Sequence, residues 1–238
     1  GREACGLPAD ALVLCCFNQI YKINPDVLDA WARILSGAPD ALLWLLAWNP
    51  QGERNLRQEL QRRGVDPARL HFAPKARMED HLARMRCADL FLDTWPCNAH
   101  TTASESLWMA VPVLTLPGRT FASRVAASLA RATHTDSLVC ATVDAYVARA
   151  LELAGDRQQL AAVLGGVRVR PLPRHDRDER RQRQARAVAV RLAAAELAED
   201  DRSRLTGDDR PVRESLSGTL VPRVALPRTD DRAELVRF

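Results

Sequence analysis

A chain of 238 residues with 47% apolar content can bury a substantial core, as one large domain or as a domain with an appendage. Its formal net charge of +4 is uneven: residues 1 to 165 hold 17 Lys+Arg against 17 Asp+Glu, while residues 166 to 238 hold 17 against 13. The neutral first part gives no electrostatic reason to expect nucleic acid or an anionic membrane as partner; the first residues do not read as a basic n-region followed by an apolar h-region, and no apolar run approaches the ~20 residues of a membrane span.

The chain reads as soluble. None of its six cysteines has C-x-x-C spacing, so reduced thiols in a cytoplasmic protein are expected. Cys97 and His100 stand at metal-ligand spacing, but without a second pair they do not make a zinc site, and no metal is expected. The opening on Gly1, close to a strand, is expected of a piece of a longer protein.

Short apolar runs alternate with helix-period segments, the pattern of βα units on a parallel sheet. The first run is Ala11 to Phe17. Asn24 and Pro25 then supply a cap and a first-turn proline for a helix in which Val27, Leu28, Trp31, Ile34 and Leu35 recur at helical spacing before Gly37 stops it. Runs at Ala41 to Ala47, Arg69 to Ala73, Ala88 to Asp93, Pro112 to Leu116 and Ser137 to Ala141 follow. Helices are expected over 53 to 63, 77 to 86, 102 to 110, 120 to 131 and 143 to 154. The runs are continuously apolar rather than alternating, so both sheet faces are expected to be covered. Six such units predict an α/β, doubly wound parallel sheet of Rossmann-like type, too short for an eight-fold barrel.

After Gly165 and Gly166 the composition changes. Residues 166 to 238 hold seventeen arginines, no lysine and one aromatic, Phe238. With so little to bury, this Arg-rich tail is expected to be largely disordered, with one plausible helix over 180 to 199. Its arginines are interspersed with acids, which favours a solvated tail over a nucleic-acid arm.

In doubly wound sheets ligands bind beyond the carboxyl ends of the strands, so the segments after the runs are the ones to inspect. After the first comes Phe17-Asn18-Gln19-Ile20-Tyr21-Lys22, with one of only two lysines in the chain. A compact point charge there suits an anion, though a solvated loop lysine fits equally well. After the fourth run, Asp93 to Glu105 brings Thr101 and Thr102 to a helix start, where free N–H groups and hydroxyls suit a phosphate and Glu105 could accept ribose hydroxyls. Thr102-x-x-Glu105 is also a capping box, and by spacing alone that is the simpler account. The chain has no G-x-G-x-x-G, no G-x-x-x-x-G-K-[ST] and no G-x-S-x-G, which excludes a fingerprinted dehydrogenase, a P-loop NTPase and a nucleophile elbow. Phosphate would have to be held by single side chains and helix ends, as in two-domain GT-B nucleotide-sugar transferases.

Three separated stretches sharpen this: Cys16-Phe17-Asn18-Gln19-Ile20-Tyr21-Lys22-Ile23, Cys97-Asn98-Ala99-His100-Thr101-Thr102 and Phe121-Ala122-Ser123-Arg124-Val125-Ala126-Ala127-Ser128. Together they resemble the signature segments of the O-GlcNAc transferase and SPINDLY family, glycosyltransferase family 41, in order and spacing from Leu7 to about Gly155. The resemblance implies the C-terminal, donor-binding half of a GT-B catalytic region, with residues 1 to 165 as the UDP-sugar domain.

It also implies a metal-independent, inverting transfer of N-acetylglucosamine from UDP-GlcNAc to Ser or Thr of a protein acceptor. Gln19 and Lys22 would contact the diphosphate, Lys22 offsetting charge on departing UDP. His100, Thr101 and Thr102 would cradle the phosphates, His81 and Arg84 would face the uracil with the Ala76 backbone nearby, and Glu105 would hold the ribose. The family places Asp where this chain has Glu105, and lysine where it has Met78. The family's tetratricopeptide repeats and first catalytic half are absent, so the fragment alone is not expected to turn over. Two rivals stay open: an O-fucosyltransferase using GDP-fucose, and a non-catalytic nucleotide-binding module.

Overall fold

A computed structural model of the chain describes residues 1–167. The helix expected over 180 to 199, and the rest of the tail reading from residue 168 onward, lie outside the described residues.

Five parallel strands form one sheet: β1 (Leu12–Cys16), β2 (Ala41–Leu46), β3 (Leu70–Ala73), β4 (Leu90–Leu92) and β5 (Val113–Leu114), in the spatial order β3-β2-β1-β4-β5. Every residue of β1, β4 and β5 is buried, as continuously apolar strands require when helices cover both faces. The helices are α1 (Pro25–Gly37), α2 (Pro50–Arg62), α3 (Met78–Met85), α4 (Thr101–Trp108), α5 (Val125–Ala132), α6 (Val143–Gly155) and α7 (Arg157–Gly166). The doubly wound, Rossmann-like parallel architecture is thus as expected. None of these helices is long and apolar enough to cross a membrane.

The sixth expected strand is a correction. Residues Asp136–Leu138 form a 3-10 turn, and the segment meets the sheet through a single parallel bridge, Val139 to Thr115. On that edge Thr115 donates to Leu138 and accepts from Cys140, and the next residue of the same orientation is Pro117, which has no N–H to continue the ladder. Two helix starts also differ, and one helix is added. Asn49 caps Gly52 N–H and Pro50 occupies the first turn, so α2 begins earlier than its apolar period suggests. Residues Phe121–Ser123 form a 3-10 turn before α5, closed by reciprocal Thr120 and Ser123 bonds. Asp156 accepts from Gln158 and Gln159 N–H and restarts the helix as α7, which no period signalled.

The first helix shows how the sequence encodes its own placement. Asn24 Oδ1 accepts from Val27 N–H at 3.0 Å, while Asn24 Nδ2 donates to the Trp95 carbonyl on the loop after β4. One side chain therefore starts α1 and ties it to the far side of the sheet's switch point. Asn24→Ala is expected to destabilise the chain by about 1 to 2 kcal/mol, from the lost cap and the orphaned carbonyl, as measured by urea unfolding. No loss would show that the loop holds itself.

Candidate functional site

The strand order reverses between β1 and β4, where successive units wind to opposite sides, and a crevice forms beyond their carboxyl ends. A cleft of about 640 Å³ occupies this place. Gln19, Lys22, Ala76, His81, Arg84, His100, Thr101, Thr102 and Glu105 all line it, so all nine residues singled out from the sequence converge. The chain brings them from three loops and from α3 and α4, so that residues as far apart in sequence as 19 and 105 line one cleft.

Its floor is a buried polar knot centred on Asp93, at the end of β4. Asp93 Oδ1 accepts from Thr94 N–H at 2.8 Å and Ala99 N–H at 2.6 Å, and Oδ2 accepts from the Thr115 hydroxyl at 2.7 Å. The Asp93 carbonyl accepts from the hydroxyl of Tyr146, a fully buried residue of α6. Burial pushes the Asp93 carboxyl up to about 7, against the Thr115 hydroxyl, the Ala99 and Thr94 amides and the Lys22 ammonium, which hold it down. Asn18, 2% exposed, extends the knot: it donates to Thr94 Oγ1 at 2.8 Å and accepts from the Thr102 hydroxyl. The loop from Thr94 to His100 is therefore held from beneath, and it delivers His100 to the cleft.

At the end of that loop α4 begins. Its cap position is His100, not Thr102, and no side chain caps it. The capping-box account of Thr102 and Glu105 is thereby overturned: Thr102 is the second helical residue, and its hydroxyl is given to Asn18 rather than to the helix start. The first-turn N–H groups are left at the cleft with the positive end of the helix dipole. The His100 ring is steadied by the Ala122 carbonyl at 3.2 Å from Nε2 and by an edge contact with Phe121, so the third signature stretch works by positioning this loop. Lys22, closing the 3-10 turn Ile20–Lys22, donates to the Asn98 carbonyl at 2.7 Å and so sits over the same loop. The Ile20 side chain of this turn packs against Gly52, where an added Cβ would require Ile20 Cδ1 to shift.

The opposite wall is α3. Arg84 donates to His81 Nδ1, which puts the ring hydrogen on Nε2, the nitrogen that faces Glu105 Oε2 at 3.6 Å. Phe17 braces both residues, with the His81 ring edge-on at 5.2 Å and the Arg84 guanidinium 5.5 Å above it. Burial pulls Arg84 below its usual value, which leaves it a cation.

Sequence reasoning missed several residues here. Lys75, the second lysine of the chain, lines the same cleft with its ammonium 4.9 Å from the Trp48 ring centroid, and Trp48 donates to the Asn18 carbonyl. The rarity of lysine was a signal that applied to Lys75 as much as to Lys22. Asp93 and Asn18 lay inside the quoted segments, but nothing in the sequence marks a carboxylate as a buried hub. Among the described residues no three His, Cys, Asp or Glu side chains gather as a metal site.

A model of glycosyl transferase family 41 matches residues 1–173. The chain belongs to that family. This family 41 chain is 44% identical over 155 residues to a Caenorhabditis elegans UDP-N-acetylglucosamine--peptide N-acetylglucosaminyltransferase, covering 65% of the chain and 14% of that protein. It is 37% identical over 163 residues to the Arabidopsis thaliana protein named probable UDP-N-acetylglucosamine--peptide N-acetylglucosaminyltransferase SEC, covering 68% and 17% respectively. A solved structure of a mutant Thermobaculum terrenum O-GlcNAc transferase matches with a TM-score of 0.64 at 32% identity, over 83% of this chain and 38% of that one. The chain thus spans under a fifth of the length of the two curated relatives.

Proposed function

We propose that this family 41 chain supplies the donor site of a protein O-GlcNAc transferase, holding UDP-GlcNAc while N-acetylglucosamine passes to a Ser or Thr hydroxyl of a protein acceptor. The observation that carries this reading is the convergence of the nine residues on one cleft at the β1/β4 switch point. The names of the relatives supply the donor and the acceptor class.

In this reading the diphosphate lies over the start of α4. The first-turn amides and the Thr101 hydroxyl donate to it; Thr102 contributes its N–H, since its hydroxyl is committed to Asn18. His100 and Gln19 flank the diphosphate and Lys22 neutralises charge as the anomeric C–O bond breaks and UDP departs. These groups are fixed before the substrate arrives, so little reorganisation accompanies the developing charge. The uracil lies against His81 and Arg84 beside the Ala76 backbone, and Glu105 accepts the ribose hydroxyls. Lys75 offers a cation on the wall where Met78 replaces the family's lysine. The positive charge needed at the leaving group comes from side chains and a helix end, which supports metal-independent transfer. The general base, the other catalytic half and the tetratricopeptide repeats are assigned to the parent protein, in a cytoplasmic setting that suits six free thiols.

Isothermal titration of the chain with UDP and then GDP, at one salt concentration, tests this. Binding of UDP at least tenfold tighter than GDP is expected. A preference for GDP would redirect the site to another sugar nucleotide, and no binding of either by folded protein would sink the donor-site reading.

A further inference from the structure

The amino-terminal edge of the sheet, remote from the cleft, holds a pair of thiols that the donor site does not use. Cys5 Sγ and Cys87 Sγ lie 3.9 Å apart, and both side chains are partly exposed. Cys5 ends the 3-10 turn Glu3–Cys5 ahead of β1, and Cys87 lies two residues beyond α3, ahead of β4. The backbone around each is fixed by independent bonds. Arg2 Nε donates to the Cys87 carbonyl at 3.1 Å, and its Nη2 donates to both Asp89 carboxylate oxygens at 2.7 Å. Asp89 in turn accepts from Val13 N–H in β1. The Arg2 carbonyl accepts from Cys5 N–H at 2.9 Å, and Gly6, at φ 70°, turns the chain so that Leu7 is buried. A disulfide needs about 2.05 Å between sulfurs, so the two must approach by roughly 2 Å.

We infer that Cys5 and Cys87 form a redox-responsive dithiol site that closes to an intramolecular disulfide with glutathione disulfide as oxidant. One cysteine thiolate attacks a sulfur of glutathione disulfide, forming a mixed disulfide and releasing a glutathione thiolate. The second cysteine thiolate attacks the cysteine sulfur of that mixed disulfide, and the second glutathione leaves. Two protons pass from the protein thiols to the two glutathiones, and two electrons pass to the oxidant. Burial and the adjoining Cys5 sulfur push the Cys87 thiol up, so closure is faster at pH 8.5 than at pH 7. The remaining cysteines lack such a partner: Cys15, Cys16 and Cys140 are buried, and the Cys97 sulfur faces the Asn98 carbonyl. The link joins positions 82 residues apart, and so restrains the chain where it feeds β1 and β4.

The 238-residue chain is incubated with glutathione disulfide and denatured in excess N-ethylmaleimide, so that each free thiol is counted as an adduct before peptide mapping. Free thiols are expected to fall from six to four, with peptide 3–22 joined to peptide 87–119, and Tm is expected to rise by on the order of 5 °C. Cys5→Ser and Cys87→Ser should each form no internal link and gain at most one bound glutathione. Six thiols retained in the oxidised wild type, or the same two-thiol loss in Cys5→Ser, would overturn the assignment. UDP affinity is not the readout, so the result is independent of the donor-site reading.

Discussion

Asp93→Ala is expected to lower the stability of the chain by about 3 kcal/mol at pH 5 and to weaken UDP binding more than tenfold under conditions where the variant is still folded. The substitution orphans the Thr94 and Ala99 amides and the Thr115 hydroxyl in a site without solvent, and each unsatisfied buried donor costs about 1 to 3 kcal/mol. It also frees the loop that presents His100 and the start of α4, which is why binding should fall with stability. The effect depends on pH in a defined direction. Burial raises the folded carboxyl to about 7 from an ordinary 3.8, so the folded state holds this proton more tightly than the unfolded chain does. Between about 4 and 7, raising the pH therefore removes stability, by at most about 1.4 kcal/mol per unit for one proton, and below about 4 the contribution is fully present. Urea unfolding of wild type and variant from pH 5 to 8 should show the gap narrowing as pH rises. A gap independent of pH would mean that Asp93 does not titrate in this range, and no gap at all would remove it as the hub of the loop.

Lys22→Ala should act on the ligand rather than on the fold. The ammonium donates to the Asn98 carbonyl at the cleft surface, where water can replace it, so stability should change by less than about 1 kcal/mol. Against a diphosphate, loss of one charge-assisted contact costs about 1.5 to 3 kcal/mol, which is about ten- to 150-fold in Kd. The lost part is electrostatic, so the wild-type advantage should shrink as salt is raised. Titration of both proteins with UDP at low and high ionic strength measures it. Equal affinity would take Lys22 out of the site and shift attention to Lys75, the other lysine on the same cleft.

Much of this protein was legible in its sequence, because the signals concerned were local. Continuous apolar runs such as Leu12–Cys16 and Ala41–Leu46 declare strands covered on both faces, and Asn24-Pro25 declares a helix start, whatever lies elsewhere in the chain. The segments after the first and fourth runs do line one cleft, since parallel strands all point their carboxyl ends the same way. The family resemblance then placed nine residues that the cleft does bring together.

What the sequence did not contain were the terms that depend on partners distant in the chain. Thr102-x-x-Glu105 has the spacing of a capping box, yet a hydrogen bond from Thr102 to Asn18, 84 positions away, claims the hydroxyl. Asp93 reads as a loop acid. Only burial beneath Thr115, Ala99 and Tyr146 turns it into the support of the site and raises its carboxyl. The sixth strand failed because an edge strand needs a neighbour of matching length, and β5 offers two residues. Sequence fixes intrinsic preferences over a few residues; which polar groups lose water, and which partners then satisfy them, is decided when β1 and β4 come side by side.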